Sequence, residues 1–227
     1  MKTVSAAPFT PSEKSGSGTL AISHGAALEQ HPNAPKTLAD CLYRAAETSP
    51  DRGIVYLREN NSPMFQSYPE LLNATRKLLR GLRVLGLSPG DRVILQFDQN
   101  EDFIRTFWAC IWGGFVALPM SVPAMHNQSK SGLSKLRGAW EHLGHPVILS
   151  TNRIIESVRG CFNFDGSTDL RVKAIDGLSK AECDYNWHQS ASDDLALLML
   201  TSGSTGPTKA VRLSHANLIS RSQGSIQ

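Results

Sequence analysis

Residues 195–200 form an apolar run, Leu-Ala-Leu-Leu-Met-Leu, without the alternation of polar and apolar residues that marks a half-exposed strand. Asp193-Asp194 precedes this run and a loop rich in serine, threonine and glycine follows it. A short unbroken apolar run with such boundaries is typical of a strand that is buried on both faces. Strands of this kind occur in parallel sheets, whose connecting helices cover both faces. The run therefore restricts the chain to an α/β architecture.

The rest of the chain supplies alternating strands and helices for such a sheet. Strands are predicted at 54–57, 64–66, 92–97, 115–118, 147–149, 171–175 and 210–213, with the first two joined as a hairpin. Helices are predicted at 38–47, from Tyr68 to Gly86, at 100–112, at 131–143, at 153–159 and from His215. Strands that alternate with helices of ten or more residues indicate a mixed, largely parallel sheet flanked by helices.

Several helix starts carry capping residues. Thr37 with Asp40, and Ser67 with Glu70, have the spacing of capping boxes, and Asn100 is predicted to cap the third helix. Ser214 is interpreted in the same way, as the cap of the helix that begins at His215, and not as a nucleophile beside a base, because neighbouring residues in a helix point in different directions.

The helix that follows Ser67 has one apolar face, and its basic residues lie elsewhere. The apolar positions are Leu71, Thr75, Leu78, Leu79, Leu82 and Leu85. The basic positions are Arg76, Lys77, Arg80 and Arg83. We interpret these as the solvated outer face of an amphipathic helix and not as an anion site.

Charge and cysteine content narrow the possible functions. The chain has 23 Lys and Arg against 20 Asp and Glu, a net charge of +3, and no window dense enough in basic residues to bind a row of phosphates. Nucleic acid is therefore not an expected partner. The four cysteines include no C-x-x-C pair, which argues against zinc or a redox dithiol and favours reduced thiols in the cytoplasm.

Two segments could direct the chain to a membrane or to secretion, and neither has the required pattern. Residues 1–36 begin with a polar stretch rich in serine, glycine and proline, without the continuous apolar core of a signal peptide, and are predicted to be a flexible leader. The apolar run 107–125 is interrupted by Gly113-Gly114, Pro119 and Pro123. It is too short, as a helix, to span a bilayer, so a buried helix that turns into a buried strand is expected.

The loop after the apolar run, Thr201 to Lys209, carries the chemistry. Its glycines permit close approach of the backbone, so that successive amides can point at phosphate oxygens, while its hydroxyls add donors and its lysine adds positive charge. The candidate ligands of a polyphosphate are Thr201, Ser202, Gly203, Ser204, Thr205, Gly206 and Lys209.

The loop has two other possible interpretations. In a Walker A loop the lysine directly follows the last glycine and opens a helix, whereas Pro207-Thr208 intervene here and residues 210–213 are predicted as a strand, so a P-loop NTPase is disfavoured. A hairpin that binds nothing is the common alternative. The doubly buried strand, the run of phosphate-compatible donors and the lysine together favour a phosphate site.

The residues DLALLMLTSGSTGPTKAVRLSHANL resemble the phosphate-binding signature of the adenylate-forming superfamily, which includes acyl-CoA synthetases, fatty-acyl-AMP ligases and the adenylation domains of nonribosomal peptide synthetases. The upstream segments LSPGDRVIL, NEDFIRTFWACIWGG and FVALP are similar to the elements that open the N-terminal domain of these enzymes. One departure is local. The family places proline before the lysine and glycine after it, whereas this chain has Thr208-Lys209-Ala210, so a small shift of the loop is expected.

The resemblance implies a two-step reaction. A carboxylate attacks the α-phosphate of ATP to form an acyl adenylate, and coenzyme A or a phosphopantetheinyl carrier domain then takes the acyl group. The seven loop residues named above would hold the β- and γ-phosphates, and Mg²⁺ would offset the phosphate charge.

The resemblance also sets an expectation for the extent of the chain. The superfamily's adenine and ribose contacts, its hinge and its catalytic lysine all follow the phosphate loop, so residues 37–227 are expected to be an incomplete N-terminal adenylation domain without catalytic residues of its own. The segment from Leu118 to Ser150 looks more like acyl-activating or loading modules than amino-acid-activating ones. The expected substrate is a fatty or other carboxylic acid, with two alternatives: an amino-acid-activating fragment, or an inactive remnant that keeps the fold.

Other candidate groups are given structural roles. His142 and His145 lie at a predicted helix stop, Gly144-His145-Pro146, and have no neighbouring cysteine or carboxylate cluster, so they are expected to be surface histidines and not metal ligands. Trp108 and Trp112 lie one helical turn apart, where they could line an acyl tunnel, but core packing is the favoured interpretation.

Overall fold

The architecture consists of one mixed sheet with helices on both faces, as the sequence predicts, together with a small hairpin. The computed structural model describes residues 33–58, 62–122, 130–162, 171–201 and 209–225, and of residues 130–134 only the backbone. The leader prediction falls almost entirely outside the described residues, since only 33–36 of it are included.

Six helices and eight strands are described. The helices are α1 (Leu38–Thr48), α2 (Tyr68–Val84), α3 (Asn100–Gly113), α4 (Lys130–His142), α5 (Ile155–Gly160) and α6 (His215–Gln223). The strands are β1 (Gly53–Leu57), β2 (Pro63–Ser67), β3 (Arg92–Leu95), β4 (Val116–Pro119), β5 (Val147–Ser150), β6 (Val172–Ala174), β7 (Leu195–Thr201) and β8 (Lys209–Ser214). Every predicted element is present, with boundaries that mostly shift by one or two residues.

The main sheet has the strand order β6-β5-β3-β4-β7-β8. All neighbouring strands are parallel except β7 and β8, which are antiparallel. The strands β1 and β2 form a separate antiparallel hairpin. The order is not that of the chain, because β4 and β5 lie on opposite sides of β3. Helix-containing connections from β3 and β5 therefore run in opposite directions across the sheet.

Two apolar cores cover the two faces of the sheet. Helices α1, α2 and α3 pack on the face that carries Val93 and Leu95, and α4 and α5 pack on the face that carries Ile94 and Ile148. Val93 to Leu95 are at most 1% exposed, which is the burial expected for the centre of a parallel sheet. The alternation of β3 between the two cores explains why its sequence is apolar throughout.

The predicted caps are confirmed with one correction. The capping boxes of Thr37 and Ser67 are both complete, and Ser214 caps α6 through the backbone of Asn217. The prediction for α3 was wrong, because Gln99 and not Asn100 has the extended backbone of the N-cap, and its side chain makes no cap hydrogen bond. Two acidic residues in the first turn, Glu101 and Asp102, stabilise that end instead.

The apolar run 107–119 is a buried helix followed by a buried strand, as predicted. Gly114 ends α3 in the left-handed conformation, with φ of 70°, and β4 begins two residues later. Trp112 is 1% exposed and packs against Trp187, with ring centroids 4.7 Å apart. Within the described ranges, no helix combines the length and apolar character needed to cross a membrane.

Two predictions about exposure were wrong. The run 195–200 is not buried throughout, since Met199 is 51% exposed at the outer half of β7. The basic residues of α2 do not all face solvent, because the segment before β7 folds over two of them. Arg83 donates to Asp184 Oδ2 at 2.7 Å, and the guanidinium of Arg76 lies over the rings of Trp112 and Tyr185.

The cysteines and the two helix-stop histidines have structural environments. All four cysteines are free thiols, and burial raises the pKa of the Cys110 thiol to about 12. His145 stacks on Trp140 with ring centroids 4.1 Å apart, just past the end of α4. Its positive φ of 63°, next to Gly144, forms the helix stop that the sequence indicates.

Candidate phosphate-binding site

The candidate loop extends from a two-stranded ribbon formed by β7 and β8. The two strands are antiparallel, and Thr201, the last residue of β7, lies opposite Lys209, the first residue of β8. The Thr201 hydroxyl donates to the Lys209 carbonyl oxygen at 3.3 Å. The two ends of the loop are therefore held side by side.

The structure brings together the two predicted ligands that it describes. Thr201 and Lys209 are both exposed, and Lys209 forms no ion pair with any described residue. An exposed, uncompensated ammonium group at the mouth of this loop suits an anionic ligand. The remaining predicted ligands, Ser202, Gly203, Ser204, Thr205 and Gly206, lie outside the described residues.

The loop begins at the carboxyl edge of the parallel strands. Strand β7 runs parallel to β4, which runs parallel to β3, so all three carboxyl ends lie along one edge of the sheet. Ligands of open α/β sheets bind outside this edge, in the crevice where the connections of adjacent strands diverge. That divergence lies between β3 and β5, two strands away from β7.

Buried polar side chains line the same edge, and sequence reasoning missed them. Gln96 follows β3, Ser150 ends β5, and Thr151 follows it; all three are at most 4% exposed. The Gln96 amide nitrogen donates to the carbonyl oxygen of Ser121 at 2.9 Å. The Gln96 Oε1, Ser150 Oγ and Thr151 Oγ1 atoms have no partner among the described protein atoms. Ordered water is the usual partner of such groups.

A sequence signal for these groups did exist. Each of the runs Val93-Ile94-Leu95 and Val147-Ile148-Leu149 is followed directly by a residue with a polar side chain, Gln96 and Ser150. A polar residue directly after an apolar strand lies at the carboxyl edge, so the pattern could have been read as edge chemistry. The pairing of the two residues, however, needs the strand order, since 54 positions separate them.

One ion pair joins the turns beyond these strands. Arg153 donates to Asp98 Oδ1 at 2.5 Å, and the two side chains are 51% and 28% exposed. Such a partly exposed pair contributes little stability, but it links the segment after β5 to the segment after β3. Among the described residues, no group of three or more His, Cys, Asp or Glu could hold a metal ion.

Comparisons with known proteins identify the family of the chain. Residues 42–226 match the family described as AMP-binding enzyme. Microperfuranone synthase of Emericella nidulans is 31% identical over 212 residues, which cover 88% of this chain and 22% of that protein. Feruloyl-CoA synthase of an Amycolatopsis species is 32% identical over 157 residues, which cover 67% of this chain and 29% of that protein.

A solved structure matches in three dimensions as well. It contains the adenylation, ketoreductase and pseudo Asub domains of a keto acid-selecting NRPS module, with a TM-score of 0.82 and 36% identity. The match covers 90% of this chain and 17% of that chain. The chain thus spans between about a sixth and a third of the length of these relatives. With the family matched over most of its residues and the fold matched by the adenylation-containing structure, the chain belongs to the AMP-binding enzyme family, whose members are adenylate-forming ligases.

Proposed function

We propose that this chain carries the ATP phosphate-binding part of a carboxylic acid ligase, which activates its substrate as an acyl adenylate before a thioester is formed. The observation that carries the proposal is the pairing of Thr201 with Lys209 at the mouth of a loop rich in glycine and hydroxyl groups. Because the chain spans only part of each relative, the complete reaction is proposed for the whole protein and phosphate binding for this chain.

The chemistry follows from what such a loop can hold. A carboxylate oxygen of the substrate attacks the α-phosphorus of ATP, the bond from that phosphorus to the bridging oxygen breaks, and pyrophosphate leaves. The loop binds the β- and γ-phosphates, which are the leaving group. Backbone amides, hydroxyls and the Lys209 ammonium would stabilise the negative charge that the leaving group gains. In the second step a thiol attacks the acyl carbonyl and AMP departs.

The substrate is proposed to be a fatty acid or another carboxylic acid without an α-amino group. The relatives that support this include a feruloyl-CoA synthase and a keto acid-selecting module. Coenzyme A and a phosphopantetheinyl carrier domain are both candidate thiol acceptors. An amino acid is the alternative substrate, because another solved structure that this chain matches, with a TM-score of 0.81, contains phenylalanyl-adenylate.

The proposed function also implies a bound metal ion and a cellular location. ATP would bind as its Mg²⁺ complex, since a divalent ion reduces the charge that the loop must accommodate. We place the protein in the cytoplasm, where ATP is available and where four free thiols would stay reduced.

The direct test is binding of magnesium pyrophosphate to the 227-residue chain by calorimetry. Lys209→Ala is expected to raise the dissociation constant about tenfold, because one charge-assisted contact is lost. Lys173→Ala is the matched control, since it removes an exposed lysine from β6 at the opposite edge of the sheet. Equal loss of affinity in both variants, or lack of binding by the wild-type chain, would contradict the proposed site.

The whole protein provides the second test. Carboxylate-dependent exchange of labelled pyrophosphate into ATP is expected, and Lys209→Ala should slow it. If the chain binds pyrophosphate but the whole protein exchanges none with fatty, aryl, keto or amino acids, the alternative of an inactive protein that retains the fold is supported instead.

A further inference from the structure

His215 lies at the base of the β7–β8 ribbon, at the end opposite to the loop. It is the first residue of α6, directly after β8, and it is 2% exposed. Leu195, the first residue of β7, is the register partner of Ser214, the last residue of β8. His215 therefore lies where β7 begins and β8 ends. Three separate segments of the chain meet there.

The His215 side chain joins this base to the start of α1. The backbone N–H of Leu38 donates to His215 Nδ1 at 3.1 Å, across 177 residues of sequence. Leu38 is the first residue of α1, and its N–H is one of the helix-terminal donors that lack a partner within the helix. A backbone N–H can only donate, so Nδ1 must accept. The imidazole is therefore neutral, with its proton on Nε2.

Backbone hydrogen bonds complete the junction. The His215 N–H donates to the carbonyl oxygen of Asp194 at 3.2 Å, and the Ala216 N–H donates to that of Ser192 at 2.8 Å. The turn before β7 and the start of α6 are thus tied to each other, and the imidazole ties both to α1. The base of the ribbon is therefore held both by the backbone hydrogen bonds between the turn before β7 and α6, and by the imidazole bond to α1.

In the half of the ribbon nearer the loop, β8 has less cover than β7. Strand β8 is an edge strand, paired with β7 only, and residues 209–212 are all exposed. Met199 and its register partner Val211 are 51% and 43% exposed, so among the described residues little covers this face. Leu197 and Leu213, nearer the base, do pack against the core. On the opposite face, Leu198 and Leu200 of β7 pack against the core that contains Ile94 and Ile148, so the outer part of β8 depends on its pairing with β7 and on the base of the ribbon.

From these contacts we propose that His215 is a positioning residue for the phosphate-binding loop: its neutral imidazole fixes the base of the β7–β8 ribbon to α1 and thereby sets where Thr201 and Lys209 lie. The ribbon transmits this over six residues, about 20 Å at the usual rise of a strand. The proposal rests on the proposed function, because it concerns the same loop. Among the residues that the structure describes, the charged and titratable groups that act on the imidazole are Asp40, Asp194 and His188.

The first experiment tests whether the ribbon needs a hydrogen-bond acceptor at the position of His215 Nδ1, or only a polar side chain at residue 215. In His215→Asn the amide oxygen can take the place of Nδ1, whereas in His215→Gln the polar group lies near the place of Nε2. Amide hydrogen exchange is measured along the chain in both variants and in the wild type. The glutamine variant is expected to exchange the β7 and β8 amides about tenfold faster relative to β3, and the asparagine variant to stay within about threefold of wild type.

The second experiment asks whether the loop follows the ribbon. Binding of magnesium pyrophosphate is expected to weaken about fivefold or more in His215→Gln and to be largely restored in His215→Asn. Faster ribbon exchange with unchanged pyrophosphate affinity would overturn the positioning role, as would exchange that rises equally in β3 and β8. If the wild-type chain binds no pyrophosphate, the proposed function fails, and the exchange data still decide whether His215 holds the ribbon.

If His215→Gln does not fold, a substitution of Leu38, the donor of the hydrogen bond to His215, provides the test instead. Leu38→Pro removes the donor N–H at the first position of α1, where proline is tolerated, and Thr37 before it already has the extended backbone that proline requires. Leu38→Ala is the control, because it shortens the side chain but keeps the N–H. The proline variant alone is expected to show the faster β7–β8 exchange, and equal behaviour of the two would overturn the proposal.

Discussion

Gly114 lies so close to the ring of His188 that a Cβ at this position would be 2.3 Å from His188 Cδ2. Gly114 also has a φ of 70°, in the left-handed region that glycine favours. Gly114→Ala is therefore expected to lower the free energy of unfolding by about 3 kcal/mol, about 1 from the backbone and the rest from the clash. Urea denaturation measures the change.

Gly86 provides the matched control for this prediction. Its φ of 87° carries the same backbone cost, but a Cβ there would meet nothing within 4 Å. Gly86→Ala is expected to cost only about 1 kcal/mol. If the two variants lose the same stability, the contact between Gly114 and His188 contributes nothing and the prediction is wrong.

The stacking of Arg76 yields a second prediction. Its guanidinium carbon lies 5.3 Å from the Trp112 ring centroid and 4.8 Å from that of Tyr185. Arg76→Ala is expected to lower the free energy of unfolding by about 1–2 kcal/mol, because two cation–π contacts and the packing of the side-chain stem are lost. Arg80→Ala, on the exposed side of the same helix, should change it by less than about 0.5 kcal/mol. Equal effects would mean that the stacking does not stabilise the fold.

Substitutions of the buried polar residues Ser150 and Gln96, at the carboxyl edge of the sheet, are expected to change the free energy of unfolding in opposite directions. Ser150→Ala removes a buried hydroxyl without a described partner, so the free energy of unfolding should rise by about 0.5 kcal/mol. Gln96→Leu breaks the hydrogen bond to the Ser121 carbonyl and should lower it by about 1–2 kcal/mol. A loss of about 1 kcal/mol in Ser150→Ala would instead reveal a tightly held water on the hydroxyl.

His215 is expected to make the free energy of unfolding fall as the pH falls. Burial lowers the pKa of His215 from its usual 6.5; nearby His188 acts in the same direction, while Asp194 and Asp40 oppose the shift. The folded state thus takes up this proton less readily than the unfolded state does. The stabilising contribution is complete above pH 6.5 and is lost as the pH falls from there through the folded-state pKa.

The measurement compares wild type with His215→Asn. Between about pH 7.5 and about pH 5.5 the wild type should lose up to about 1.4 kcal/mol per pH unit more than the variant, which has no titrating group at this position. The same pH dependence in both proteins would show that His215 does not titrate differently in the folded and unfolded states.

Much of the fold could be predicted because its signals are local. The apolar run of β3, the capping box of Thr37 and the stop at Gly144-His145 each depend on residues within one or two turns of each other. The candidate loop is equally local, since its glycines, hydroxyls and lysine are contiguous. The exposure of Arg76 was predicted wrongly because its neighbours, Trp112 and Tyr185, are far away in sequence.

The amino-acid sequence by itself determined the strands and helices, the largely parallel sheet and a phosphate-compatible loop between Thr201 and Lys209. Only the tertiary structure decided which distant residues meet: Gln96 and Ser150 near one edge, and Leu38 with His215 at the base of the ribbon. The physical reason is that periodicity and capping report interactions within a segment. The strand order, in contrast, results from packing two helix layers on one sheet, and that packing sets the partners of buried polar groups.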